Sequence, residues 1–166
     1  AGSQEYVEFV VVDVSATYDC TGSAPPCVDI RGWIYDDNSG YHGTSGIASG
    51  CARFTNYPLW SCVPVGTIIL LYNGLDPNPD IPAADVSLLD GNCVLSVSLE
   101  NPQFFEFTET TPGDIVCSYP ATGWGADPSP NWSNVAMANG GDCARLVDLN
   151  GCEVFSLCYG AANLNP

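Results

Sequence analysis

The side chains whose types and spacing best suit chemistry lie in the segment GLDPNPDIPAAD (74–85): Asp76, Asn78, Asp80 and Asp85. Carboxylate and amide oxygens are the ligands of hard cations. The first three alternate along the chain, so one loop could wrap one Ca²⁺. The competing reading is a polyproline-like surface loop, in which Pro77, Pro79 and Pro82 stiffen the backbone and orient the acids without a metal. The run Asp36-Asp37-Asn38-Ser39-Gly40 offers the same ligand types but not the D-x-[DN]-x-[DN]-G spacing of a calcium loop. It reads first as a turn, because Asp and Asn hydrogen-bond their own backbone and Gly supplies positive φ.

Trp124 and Trp132, with Tyr119 nearby, share one polar loop, GWGADPSPNW. Aromatic faces beside Asp and Asn suit sugar rings, so polysaccharide is the candidate ligand there. The alternative is that both Trp residues fold back over the end of the domain, since most large aromatics are substantially buried. Nucleophilic hydrolysis usually needs a His as base. The only one, His42, sits in the Gly/Ser-rich stretch SGYHGTSG, and no G-x-S-x-G elbow accompanies it. A lone loop His is more often a solvated side chain. Paired carboxylates for sugar hydrolysis are compositionally possible, but with 19 acids that carries little information. A hydrolase is therefore the least favoured reading, and no catalytic residue is assigned.

The chain has 166 residues, enough for one domain with a real core, and residues 1–166 are read as a single β domain. Its 19 acidic residues face only Arg31, Arg53 and Arg145, giving a net charge of −16. Nucleic-acid binding through phosphate contacts needs Lys and Arg clusters, which this chain lacks. The charge disfavours anionic membrane surfaces, and no apolar run approaches the ~18 residues of a membrane span. Disorder would tolerate the charge, but 46% apolar and 11% aromatic residues argue for a packed core. The ends, AGSQEYVEF and AANLNP, read as the edges of a module belonging to something longer.

Nine cysteines with no C-x-x-C pair favour disulfides in an oxidising exterior over zinc. The expected local pairings are Cys20–Cys27 and Cys51–Cys62. An odd count leaves one thiol unpaired or paired outside the chain.

Strand signals dominate. EYVEFVVVDVSA (5–16), CVDIRGWIYD (27–36), CVLSVSL (93–99), QFFEFT (103–108) and DIVCSY (114–119) are short β-rich runs, and VPVGTIILLYN (63–73) is apolar enough for a strand buried on both faces. On the 27–36 strand, Arg31 and Trp33 share a parity. Trp33 is expected to pack over a core edge, and Arg31 to pair with a carboxylate, with Glu8 the candidate. The Gly-containing punctuation at Asn73-Gly74, Asp90-Gly91, Asn139-Gly140 and Asn150-Gly151 marks turns. With Asn150-Gly151 as a two-residue turn, Val147 faces Val154, Leu146 faces Phe155 and Ala144 faces Leu157. The last two pairs form a candidate core face. The same register puts Cys143 opposite Cys158, where a bridge is possible.

From about Glu5 to Tyr159 the chain resembles the lamin-tail domain family in its bacterial, exported form. The resemblance rests on EYVEF, VDIRGWIYDDNSG, VPVGTIILLYN and NGGDCARLVDLNGCEVFSLCYG, in that order. It implies an all-β, immunoglobulin-like β-sandwich of about seven to nine strands. It also implies a non-enzymatic structural or adhesive module, secreted or on the cell surface, as in large exported proteins of Bacteroidetes-type bacteria that often use type IX secretion. The rest of that larger protein, or its surface and export machinery, is then the expected partner. Polysaccharide or Ca²⁺ binding as an accessory domain is the alternative, and no cofactor is required. The basic, chromatin-facing surfaces of animal lamin tails have no counterpart in this acidic chain.

Overall fold

The computed structural model describes residues 6–12, 26–36, 51–106, 141–150 and 152–160, with backbone only at 36, 51, 141–143 and 158–160. The described residues form ten strands, three of them two residues long, and one short 3₁₀ turn. The chain is an all-β sandwich. One sheet runs β1 (Tyr6–Val10), β6 (Ile68–Tyr72), β7 (Val94–Ser98). The other runs β10 (Glu153–Gly160), β9 (Gly141–Val147), β3 (Ile34–Asp36), β4 (Cys51–Phe54), β8 (Phe105–Glu106). A two-stranded ribbon of β2 (Cys27–Val28) and β5 (Val63–Pro64) lies beside them.

Register explains the layers. In the first sheet Val7 lies opposite Leu71 and Phe9 opposite Ile69, while Ile69 and Leu71 lie opposite Leu95 and Val97. In the second, Tyr35 pairs with Ala52 and Leu146, and Phe54 with Phe105. Directly opposed residues share a face. These two apolar sets therefore meet as one core, joined by Ile30, Trp60, Val63, Leu99, Phe104 and Ala144. Trp60, on the 3₁₀ turn Pro58–Ser61, is fully buried. Its ring stands edge-on to Phe54 at 5.0 Å and packs with Phe104 and Phe105. Its Nε1–H donates to the Phe104 carbonyl at 3.1 Å, so burying the indole leaves no orphan donor.

β6 and β7 pair in parallel, which requires the 73–93 segment to return along the sandwich. Asp85 on that segment exchanges both backbone hydrogen bonds with Ser96, at 2.9 and 2.8 Å, and caps part of β7's outer edge. As the apolar run suggested, β6 buries both faces: Ile69 and Leu71 point into the core, and Leu70 is buried on the other side, opposite Ser96.

Three expectations are corrected. The 27–36 run is not one strand. Gly32 takes φ +73°, the Trp33 N–H donates to the Ile30 carbonyl, and β2 and β3 enter different sheets. A two-residue strand parity cannot carry through such a turn. Second, Cys27 bonds Cys62, with Cα atoms 4.9 Å apart, so neither Cys20–Cys27 nor Cys51–Cys62 forms. The β2–β5 ribbon sets the two segments side by side, with Cys27 opposite Pro64 and Val28 opposite Val63, and Cys62, one residue before β5, comes within bonding reach of Cys27. Third, a shift between Glu153 and Phe155 places Glu153, not Val154, opposite Val147. Leu146 does face Phe155, Ala144 faces Leu157 and Cys143 faces Cys158, as the arithmetic gives. However, Phe155 and Leu157 are 48% and 62% exposed, on the outer strand of the described sheet.

Trp60→Ala is expected to cost about 3–5 kcal/mol in urea unfolding, through the cavity it leaves. Trp60→Phe, which keeps a ring and loses only the indole hydrogen bond, since the Thr55 N–H still donates to the Phe104 carbonyl at 2.9 Å, is expected to cost less and to remain folded.

Candidate functional site

The proposed cation ligands all lie in described structure, and they do not converge. No group of three or more His, Cys, Asp or Glu side chains is arranged to hold a metal among the described residues. Asn78 Oδ1 instead accepts the Asp80 N–H at 2.9 Å, making a local turn. Asp85 Oδ1 accepts the Ser87 N–H at 2.9 Å and its Oδ2 accepts Asn92 Nδ2–H at 2.7 Å. Those bonds, the Ser87 N–H first, hold the Asp85 carboxyl below its ordinary range. The same Asn92 amide donates to Asp90 Oδ2 at 2.9 Å and its Oδ1 accepts the Val94 N–H at 2.7 Å, leading the chain into β7. At the loop's other end, Glu100 Oε2 accepts the Gly74 N–H at 2.6 Å and the Ser98 hydroxyl at 2.7 Å. A Cβ on Gly74 would collide with that Ser98 hydroxyl, so this close approach needs glycine.

Tyr119, Trp124 and Trp132 lie outside the described residues, as do His42, Cys20 and Asp37 to Gly40. Cys143 and Cys158 are opposed in register along the β9–β10 backbone. Cys93 is disulfide-bonded, and Cys152 is a free, exposed thiol in the last hairpin.

The three arginines occupy three different environments. Arg31 pairs with Asp29, not with Glu8: Nη2 lies 2.5 Å from Oδ2, and Nε and the backbone N–H both donate to Oδ1. The broken strand explains this, because the turn at 31–32 folds the guanidinium back over its own neighbour. The contact lowers the Asp29 carboxyl. Trp33 is half-buried against the core, as a packing residue. Arg53, not singled out from the sequence, is buried on the face of the second sheet away from the core. There its Nε and Nη2 donate to Glu106 Oε2 at 2.8 and 2.5 Å, across the β4–β8 register. Arg145 is buried on the same face, opposite Asp36 in register, and its Nε has no hydrogen-bond partner. Strand alternation could have placed both arginines on that face, but only after β3 was separated from β2.

Where β1 and β10 form neighbouring edges of the two sheets, a groove of about 340 Å³ opens. Phe9, Val10, Val11 and Val12 line one side, Leu146, Val154 and Phe155 the other, and Glu8 is the one ionisable group among the described lining residues. Phe9 and Phe155 meet edge-to-face at 6.4 Å across it. Such a site has the chemistry of binding: apolar walls with the Glu8 carboxylate among the described lining.

No family model matches the chain, and no match was found among curated proteins or solved structures. Among the described residues, no helix is long and apolar enough to cross a membrane.

Glu106→Gln is expected to destabilise the fold by about 1–3 kcal/mol, because it weakens the acceptor for a buried guanidinium. The double change Arg53→Met with Glu106→Leu should recover much of that loss in urea unfolding. In the last hairpin, burial pushes the Asp148 carboxyl up, but the Cys152 and Asn150 N–H groups outweigh it and hold the value below the ordinary range. A carboxyl depressed by folding stabilises above its unfolded value, and that contribution disappears as pH falls through the depressed one. Asp148→Asn should therefore melt lower than the parent at about pH 7, with the two melting temperatures converging in strong acid.

Proposed function

We propose that the chain is a non-enzymatic structural or adhesive module of a larger exported protein, working outside the cell as a disulfide-braced β-sandwich. The lamin-tail resemblance of its strand motifs supports that assignment. The observation that carries it is the Cys27–Cys62 bond, together with an oxidised Cys93. Disulfides persist in oxidising compartments and are rare in reducing ones. Cys27–Cys62 closes a loop of sequence separation 35, a span for which a bridge typically contributes about 2–4 kcal/mol by restricting the unfolded chain.

The site chemistry supports a binding role over turnover. The Asp85, Asp90 and Glu100 carboxylates are engaged by local N–H and hydroxyl donors. The groove between β1 and β10 is walled by hydrocarbon. A structural module needs a surface that survives outside the cell, and the bridge and the packed aromatic core supply that stability.

The test is made on the producing cells. Antibody against the module is expected to bind intact, unpermeabilised cells or to find the protein in the medium. Digestion of that material without reductant should yield a peptide joining Cys27 to Cys62. Protein found only after lysis, with both thiols alkylatable, would overturn the reading.

A further inference from the structure

We propose that the groove between β1 and β10 is a docking site for an extended, apolar segment of a partner protein, flanked by Lys or Arg. The inference deepens the reading of the chain as an adhesive module, and rests on it for the partner being a protein outside the cell.

Among the described residues, β1 is hydrogen-bonded only to β6, and β10 only to β9. In the described structure each is the outer strand of its sheet. Unpaired strand edges are templates for another strand, and sheets that avoid such pairing usually carry charge, Pro or a covering loop there. β7's edge is capped in part by Asp85, whereas the edges beside the groove carry hydrocarbon. Val10 and Val12 are 56% and 57% exposed, and Val154 and Phe155 50% and 48%. All four contribute to the lining of one cleft. Its volume lies at the lower end of the range of ligand sites. An extended peptide sends every second side chain to one side. Main-chain bonds to a strand edge then supply affinity, while the cleft selects the side chains.

Charge chooses the occupant. Glu8 lines the cleft, and Glu153 begins the adjoining strand. No arginine lines the cleft: Arg31 is paired with Asp29, and Arg53 and Arg145 are buried in the second sheet. At −16 per chain, two copies repel, whereas a basic flank is drawn to the acidic rim and steered to it. The occupant is thus a basic-flanked apolar strand and not a second copy of this chain.

The test uses the whole oxidised chain and two synthetic peptides: an alternating Val/Thr strand with two Lys at each end, and the same strand with Glu in their place. Fluorescence anisotropy should show saturable binding of the Lys-flanked peptide, at least about tenfold tighter than the Glu-flanked one, and weakening with salt. Val154→Arg, at a half-exposed position, should abolish that binding while the melting temperature holds. Val10→Arg is the second variant and should do the same. Equal affinity for both peptides, no binding to the parent chain, or binding indifferent to both variants would overturn the proposal. So would concentration-dependent dimerisation in sedimentation that either variant abolishes, since the groove's occupant would then be a second copy. A cytosolic location of the protein would sink the exported-module reading while leaving the peptide result standing.

Discussion

The burial of Trp60 is the constraint on which the rest of the structure depends. An indole taken fully out of water needs an acceptor for its N–H, and the Phe104 carbonyl provides it. That bond fixes the approach to β8 against the 3₁₀ turn. The Ile30 N–H donates to the Trp60 carbonyl at 2.9 Å, and the Gly32 N–H to the Phe54 carbonyl at the same distance. The 26–36 segment is therefore held at two points by the elements around Trp60, and it turns between them. Two residues beyond Trp60 the chain reaches Cys62, whose bond to Cys27 closes the same corner covalently. The break in the 27–36 run, the disulfide and the β2–β5 ribbon are consequences of one packed corner.

The acidic composition poses a second problem, since three arginines cannot neutralise 19 carboxyl groups. The described loops solve it with backbone donors. Asp85, Asp90 and Asp148 each accept the N–H two residues ahead, and Asn73, Asn78, Asn92 and Asn101 do the same. This arrangement lets Asp and Asn replace a turn's backbone hydrogen bond with a side-chain oxygen. It orders long connections without apolar contacts, which suits a parallel β6–β7 pair whose connection must run outside the core. It also explains why an alternating Asp/Asn pattern can imitate a cation loop: the same oxygens serve either a metal or an N–H, and here the Asn78 and Asp85 oxygens serve N–H groups.

How much of this was legible in the sequence depended on range. The β class, the apolar β6 run and the register that sets Cys143 opposite Cys158 followed from local pattern, because alternation and hairpin arithmetic need only nearby residues. The Asn150-Gly151 hairpin was right in register from Phe155 onward but failed at Val154, where the shift inserts an extra residue. Asp148 supplies the local reason: its carboxylate takes the N–H of both Asn150 and Cys152, and its own N–H bonds the Cys152 carbonyl, so the turn closes wider than two residues. Arg31–Gly32 and Cys27–Cys62 were misread for a different reason. Both are set by the contact of the 26–36 segment with the Trp60 corner, some 25 to 35 positions away, and no local period records such a contact.

Of the candidate site, the sequence marked the oxygen-rich loop and the aromatic loop, because unusual composition is visible without a fold. It did not mark the groove, whose walls come from β1 and β10, far apart in the sequence. The residues that line it, Phe9 to Val12 and Val154 to Phe155, read as ordinary strand interior, and only topology turns them outward. Placing each on an outer strand leaves their apolar faces with half a partner. The net charge then acquires a spatial meaning. The buried Arg53 lies in the second sheet with Glu106, and Arg31 is held by Asp29, so neither offsets the acids at the open side. An apolar cleft bordered by carboxylates, with no arginine in its lining, follows from where three basic residues were needed for folding.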